Sequence, residues 1–173
     1  MDVNHIQLTP SLITGFYKNH LVESADVKPI APAAPENIHT KKEIQYLGKN
    51  QKGICILVEY PKDVYLPDDQ LHFLTSILQA CRLNLGDVAI INHYREKISF
   101  TELSKQLTCN YLLVFGVGLS PLGLSEMPLF SIQHINDCSI VHAPAAEQLN
   151  NNNPESKMLK SRLWTSLKQM FNV

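Results

Sequence analysis

The run at residues 110–118, NYLLVFGVG, constrains this chain more than any other stretch. From Tyr111 to Phe115 it is bulky and apolar without interruption, and it closes on Gly116 and Gly118. A short apolar run bounded by turn residues forms a strand covered on both faces. Covering both faces takes helices, so the run asks for an α/β arrangement around it. The glycines allow a tight turn at the carboxyl edge of the strand, the edge where open α/β sheets hold their ligands.

The flanking chain supplies the alternation this requires. Residues 53–59 (GICILVE) predict the first core strand, and Pro61 and Pro67 punctuate the loop after it. Asp68 or Asp69 then caps a helix to residue 82. Leu71, Leu74, Ile77, Leu78 and Cys81 line one face of it, with His72, Thr75, Gln79 and Arg82 opposite. Residues 87–92 (DVAIIN) predict the second strand, and Ser99 with Glu102 has capping-box spacing for a short helix to Leu107. Beyond the 110–118 strand comes a proline-containing loop at 119–128. Two short strands at 129–134 and 138–142 follow, around a turn at Asn136-Asp137. Residues 144–149 suit a helical turn. Asn153-Pro154 opens a last helix to residue 171, with Leu159, Leu163, Leu167 and Phe171 as its core stripe, Met170 beside it and Trp164 next to it. This order predicts an α/β domain over residues 46–173. Its expected form is a three-layer α/β/α sandwich on a mainly parallel sheet of four to five strands, with right-handed crossovers.

The N-terminal part reads differently. Thr9-Pro10 starts a helix within residues 1–22 that carries Leu12, Ile13, Phe16, Tyr17 and Leu21 on one face. Residues 23–45 contain Pro29, Pro32 and Pro35 among small and polar residues and predict an extended linker. An amphipathic segment on such a linker can dock on its own domain or reach a partner's groove. The second reading makes those five side chains the expected partner-binding residues.

Composition narrows the function classes. At 173 residues the chain can bury roughly 70% of its unfolded surface in one core. A formal net charge of -1 gives no global basic field to recruit nucleic acid, although a local patch for DNA contact stays open. No signal peptide and no membrane-spanning run is evident, so a cytoplasmic location without membrane contact is expected. The four cysteines form no CxxC pair, which points to reduced, mostly buried thiols rather than a zinc or iron–sulfur site. Seven histidines show no HxH or HExxH pairing, and no GxGxxG loop is present; no metal or cofactor is expected.

Candidate chemistry gathers at predicted strand ends. Glu59, Asn92, His93 and His142 all fall where strands meet the ligand-bearing edge. Together they could bind a polar ligand or do acid–base work. Equally, strand ends carry polar residues wherever the chain leaves the core. Ser120 lies in a loop beyond the central strand with no obvious base nearby in sequence. Lys157, Lys160, Arg162 and Lys168 on the last helix, and Lys41, Lys42, Lys49 and Lys52 before the first strand, suit either phosphate contact or a solvated face.

From residue 53 to residue 171 these motifs resemble the uracil-DNA glycosylase superfamily, especially its bacterial and archaeal iron–sulfur branch. ILVEYP (56–61) resembles that branch's first strand and its GEAPG-like loop. Residues 73–92, FLTSILQACRLNLGDVAIIN, resemble its helix, turn and asparagine-ended strand, and NYLLVFG its central strand. IVHAPAAEQLN with the helix after Asn153-Pro154 resembles the strand, HPS-type loop and terminal helix. The resemblance implies a uracil-reading role for Asn92 and makes His142 and Glu59 the remaining catalytic candidates. The chain departs where the chemistry matters. Ala143, not a histidine, precedes Pro144; the first loop lacks both glycines; the cysteines do not fit a cluster. A single retained residue does not make a preorganised anion site. The expectation is the fold without the reaction, with a divergent glycosylase or nucleobase hydrolase as the alternative. A looser resemblance links the NPxxxxxxxxLW ending (Asn153, Pro154, Leu163, Trp164) and the tethered N-terminal helix to psi subunits of bacterial DNA polymerase III. That resemblance implies an adaptor in a replication complex, with clamp-loader subunits as partners.

Overall fold

The structure, a computed structural model, describes residues 43–173. The expected N-terminal helix at 1–22, with Leu12, Ile13, Phe16, Tyr17 and Leu21, and most of the linker at 23–45 lie outside the described residues. Strands and helices alternate as β1 (Leu47–Gly48), β2 (Ile54–Val58), α1 (Asp68–Ala80), β3 (Val88–Asn92), α2 (Phe100–Gln106) and β4 (Tyr111–Phe115). They continue as β5 (Ile132–Ile135), β6 (Cys138–Ala143), α3 (Ala146–Asn150) and α4 (Pro154–Phe171).

The fold is α/β, built on one six-stranded mixed sheet in the order β1-β3-β2-β4-β6-β5. β3, β2, β4 and β6 run parallel, while β1 and β5 pair antiparallel at the two edges. The sheet is therefore wider than the four to five strands that the sequence predicts. β1 accounts for the difference: its two residues, paired with Ile90 and Ala89, are too few to show a period of two. Ile44, upstream of the predicted domain start at residue 46, is buried in the core.

Side-chain alternation explains the apolar run at β4. Leu113 and Phe115 face a cluster with Leu74 and Leu78 of α1 and Leu163 and Leu167 of α4. Leu112 and Val114 face a second cluster with Phe100 and Leu103 of α2 and with Val117, Leu119 and Leu122 of the following loop. With both faces covered, no polar position survives. Each such buried side chain contributes about 1.5–3 kcal/mol.

Of the two glycines closing this strand, only Gly116 is obligatory. It has φ +67°, and a Cβ there would lie 2.8 Å from Ala145 Cβ and 2.9 Å from Ala145 Cα. Gly118 lies outside the left-handed region, and a Cβ there would lie 3.4 Å from its nearest neighbour, Pro121 Cδ.

Helix ends follow local chemistry. Ser99 and Glu102 form the reciprocal capping box, with Ser99 N donating to Glu102 Oε2 at 2.9 Å and Glu102 N to Ser99 Oγ at 3.3 Å. Asn153 Oδ1 accepts from Ser156 N at 2.7 Å, with Pro154 in the first turn. Asp68 and Asp69 are not caps. Pro67 holds the cap position of α1, and the two carboxylates sit in the first turn, where they complement the helix dipole. α1 also stops at Ala80, two residues before its predicted end at 82. Arg82 adopts φ 59°, and Leu83 N turns back to donate to Leu78 O at 2.8 Å. No helix among the described residues is long and apolar enough to cross a membrane.

Candidate functional site

The strand order places β2 beside β4, and the chain leaves β2 toward β3 on one side but leaves β4 toward β5 and β6 on the other. The carboxyl ends of β2 and β4 flank that switch point, where α/β sheets hold ligands. All the strand-end candidates lie along this edge, but the structure divides them into three places.

Glu59 and His93 share one corner. Glu59 Oε1 is 3.7 Å from Lys97 Nζ, and that ammonium lies 5.0 Å over the ring of Tyr94. His93 is buried, and its backbone N donates to Val58 O at 2.8 Å, which continues the β2–β3 ladder. Its Nε2 lies 3.2 Å from Ile98 O. A carbonyl only accepts, so Nε2 carries the proton and the ring closes the 93–98 turn. Burial, reinforced by Lys97, pushes the His93 pKa below its ordinary value; the Ile98 carbonyl and Glu59 oppose the shift.

Asn92 projects to the other face of the sheet. Alternation along β3 puts Ala89 and Ile91 in one cluster and Val88 and Ile90 in the other, and Asn92 continues the second row. It is only 1% exposed, and its amide is fully engaged with backbone. Asn92 Oδ1 accepts from Tyr60 N at 3.0 Å and Tyr94 N at 3.2 Å. Asn92 Nδ2 donates to Tyr60 O at 2.7 Å and Asp63 O at 3.0 Å, with Val64 O at 3.4 Å. Arg95 Nε adds a bond to the same Asp63 carbonyl at 2.7 Å. Tyr60, the residue so held, is itself buried. Burial, then Glu147 and Asp63, push its pKa up to about 12.

His142 belongs to β6, opposite Val114 in the register and so two strands away from β2. It lies in the same alternating row as Cys138 and Ile140, on the face away from Asn92. With Ser120, Glu126 and Met127 it lines a cavity of about 370 Å³ beyond the end of β4. Its Nδ1 is buried and has no hydrogen-bond partner among the described residues. Within this cavity neither Ser120 nor Glu126 hydrogen-bonds His142, so no nucleophile–base pair is assembled in this geometry.

A surface that the sequence pattern left unassigned lies across the sheet, between α1 and α4. Phe73, Ile77 and Ala80 of α1 and Leu163, Trp164 and Leu167 of α4 line a groove of about 260 Å³. Lys160 stands in its wall with Nζ 5.5 Å over the Phe73 ring, and Lys168 Nζ is 6.0 Å from the Trp164 ring. Trp164 remains 37% exposed. Among the described residues, ion pairs join Lys52 to Asp87 and Lys97 to Glu59, and neither Lys160 nor Lys168 takes part in one. The helical stripe Leu159, Leu163, Leu167 marks which face of α4 meets the core. It gives no sign that the neighbouring Trp164 shares a groove with Phe73 of another helix. Among the described residues, no group of three His, Cys, Asp or Glu side chains is placed to hold a metal ion.

No family model matches the chain, and no curated protein sequence matches it. A functional reading therefore rests on these residues and their geometry.

Proposed function

We propose that this chain is a non-catalytic adaptor: a three-layer, uracil-DNA glycosylase-like α/β domain that works by holding partner proteins. The observation that carries this reading is the Phe73–Trp164 groove. A partly exposed tryptophan and a phenylalanine lining one groove, with Lys160 in its wall and Lys168 near the tryptophan ring, have the make-up of a protein-binding hot spot. Its occupant is a partner-protein segment that presents apolar side chains flanked by carboxylates, which Lys160 and Lys168 attract. The engagement of the Asn92 amide with the loop backbone also supports a binding role, because a side chain bracing five backbone groups is not available to read a base.

Within this reading the chain is a psi-like accessory subunit of a cytoplasmic DNA replication complex. Leu12, Ile13, Phe16, Tyr17 and Leu21 supply a second, tethered contact to clamp-loader subunits. Co-purification from native cell extract tests it with the full chain, a Trp164→Asp variant and a Phe16→Asp/Leu21→Asp variant. Clamp-loader proteins are expected with the full chain and reduced with each variant. Equal recovery with all three proteins, or recovery of none by the full chain, overturns the proposal.

A second reading, nucleobase hydrolysis at His142, is favoured by one observation: the unpartnered His142 Nδ1 beside the 370 Å³ cavity. It predicts cleavage of uracil-containing single-stranded DNA by the wild-type chain and its loss in His142→Ala. Absence of cleavage by the wild type removes it.

A further inference from the structure

Three of the four cysteines meet at the amino ends of the central strands, well away from the carboxyl edge described above. Cys55 lies on β2, Cys109 immediately precedes β4, and Cys138 is the first residue of β6. Cys109 Sγ and Cys138 Sγ are 3.5 Å apart. The backbone around them is already locked together: Ser139 N donates to Asn110 O at 2.9 Å, and Tyr111 is the register partner of Ser139. An S–S bond is about 2.05 Å long, so the two sulfurs need to approach by only about 1.5 Å to bond. Exposure divides the roles. Cys109 is half-buried, whereas Cys138 is 4% exposed and Cys55 fully buried.

We propose that Cys109 and Cys138 are an oxidative modification site, closing to an intramolecular disulfide by exchange with a small-molecule disulfide of the oxidised-glutathione class. Cys109, the more exposed residue of the pair, loses its proton and its sulfur attacks one sulfur of glutathione disulfide. The glutathione S–S bond breaks, and one glutathione leaves as thiolate and takes up a proton. The mixed disulfide on Cys109 is then attacked by the Cys138 thiolate; the Cys109–Cys138 bond forms and the second glutathione leaves as its thiol. In sum, the protein dithiol gives up two electrons and two protons, and glutathione disulfide becomes two thiols.

The surroundings set the conditions. The Cys138 hydrogen bond favours the Cys109 thiolate, but the Cys55 thiol and burial outweigh it and hold Cys109 above the ordinary thiol range. Its hydrogen bond with Cys109, then burial, hold Cys138 up in the same sense. Both groups are protonated at neutral pH, so closure is slow there and quickens in alkali.

The test uses the full chain with oxidised glutathione at neutral pH and at about pH 9, followed by alkylation and non-reducing peptide mapping. The expected product is one cross-link joining the Cys109 and Cys138 peptides, formed faster at the higher pH, with two of the four thiols still alkylated. Its midpoint of thermal unfolding should rise by about 5–10 °C and return on reduction. Cys109→Ser should abolish the cross-link, and Cys81→Ser should leave it intact. A glutathione adduct that persists on Cys109, a link to Cys55 instead, or four free thiols at both pH values overturns the proposal.

Discussion

Asn92 and Tyr60 hold each other by hydrogen bonds running in both directions: Tyr60 N donates to Asn92 Oδ1 at 3.0 Å, and Asn92 Nδ2 donates to Tyr60 O at 2.7 Å. A residue at the end of one strand thereby fixes the loop that leaves its neighbour, because a primary amide imitates a backbone segment in both its donor and its acceptor. Only asparagine offers both functions at this reach.

Asn92→Ala should therefore destabilise the domain by about 2–3 kcal/mol, since it strands several buried backbone groups. Asn92→Asp should cost at least as much, because a carboxylate cannot donate and would face the carbonyls of Tyr60, Asp63 and Val64. Urea unfolding measures the cost, and faster amide exchange across residues 60–66 would locate it. Wild-type stability in Asn92→Asp would refute the bracing role.

His93 makes the domain acid-sensitive. Burial favours its neutral form, so the folded pKa lies below the ordinary value of 6.5 while the unfolded chain keeps that value. The unfolded state then binds more protons in the interval between the two. Stability from this group is complete above about pH 6.5 and declines as the pH falls toward the folded pKa. Thermal unfolding followed from about pH 7.5 to pH 5 should show the decline. His93→Gln, which keeps a donor for the Ile98 carbonyl but does not titrate, should flatten that part of the profile.

The groove predicts opposite behaviour for two adjacent residues. Leu163 is 2% exposed and Trp164 37% exposed. Leu163→Ala should cost about 2–5 kcal/mol by opening a cavity in the core. Trp164→Ala should cost about 1 kcal/mol or less, yet remove partner binding. Paired denaturation and pull-down measurements separate the two effects. A Trp164 variant as unstable as the Leu163 one would make the tryptophan a core residue.

Gly116→Ala should destabilise by about 1–3 kcal/mol through its left-handed backbone alone, and by more because the new methyl meets the Ala145 backbone. Gly118→Ala should be close to neutral. Thermal unfolding of both variants compares two glycines that look equivalent in sequence.

Local rules carried far in this chain. The Ser99–Glu102 box, the Asn153-Pro154 helix start and the continuous apolar runs of β2, β3 and β4 each declare themselves within a few residues. What stayed hidden is non-local. Apart from Tyr94 N, the partners of Asn92 come from 28 to 32 positions earlier in the chain. Its separation from His142 depends on which face each strand presents, and that is fixed by pairings no single segment encodes. The Phe73–Trp164 groove arises only where α1 and α4 lie side by side. β1 borrows its strand character wholly from β3.

The strand order also has a kinetic consequence. Among neighbours in the sheet, only β5 and β6 are joined by a tight turn, at Asn136 with φ 52°. Such a hairpin forms in about 1–10 μs. Each parallel ladder closes through a long crossover, and β2, in the middle, stays bare on both edges until β3 and β4 arrive from further along the chain. During synthesis the apolar segment ICILV emerges well before β4 can cover it. β2 thus waits longest between its synthesis and its full pairing, and is the strand with most need of a chaperone while the ribosome is still at work.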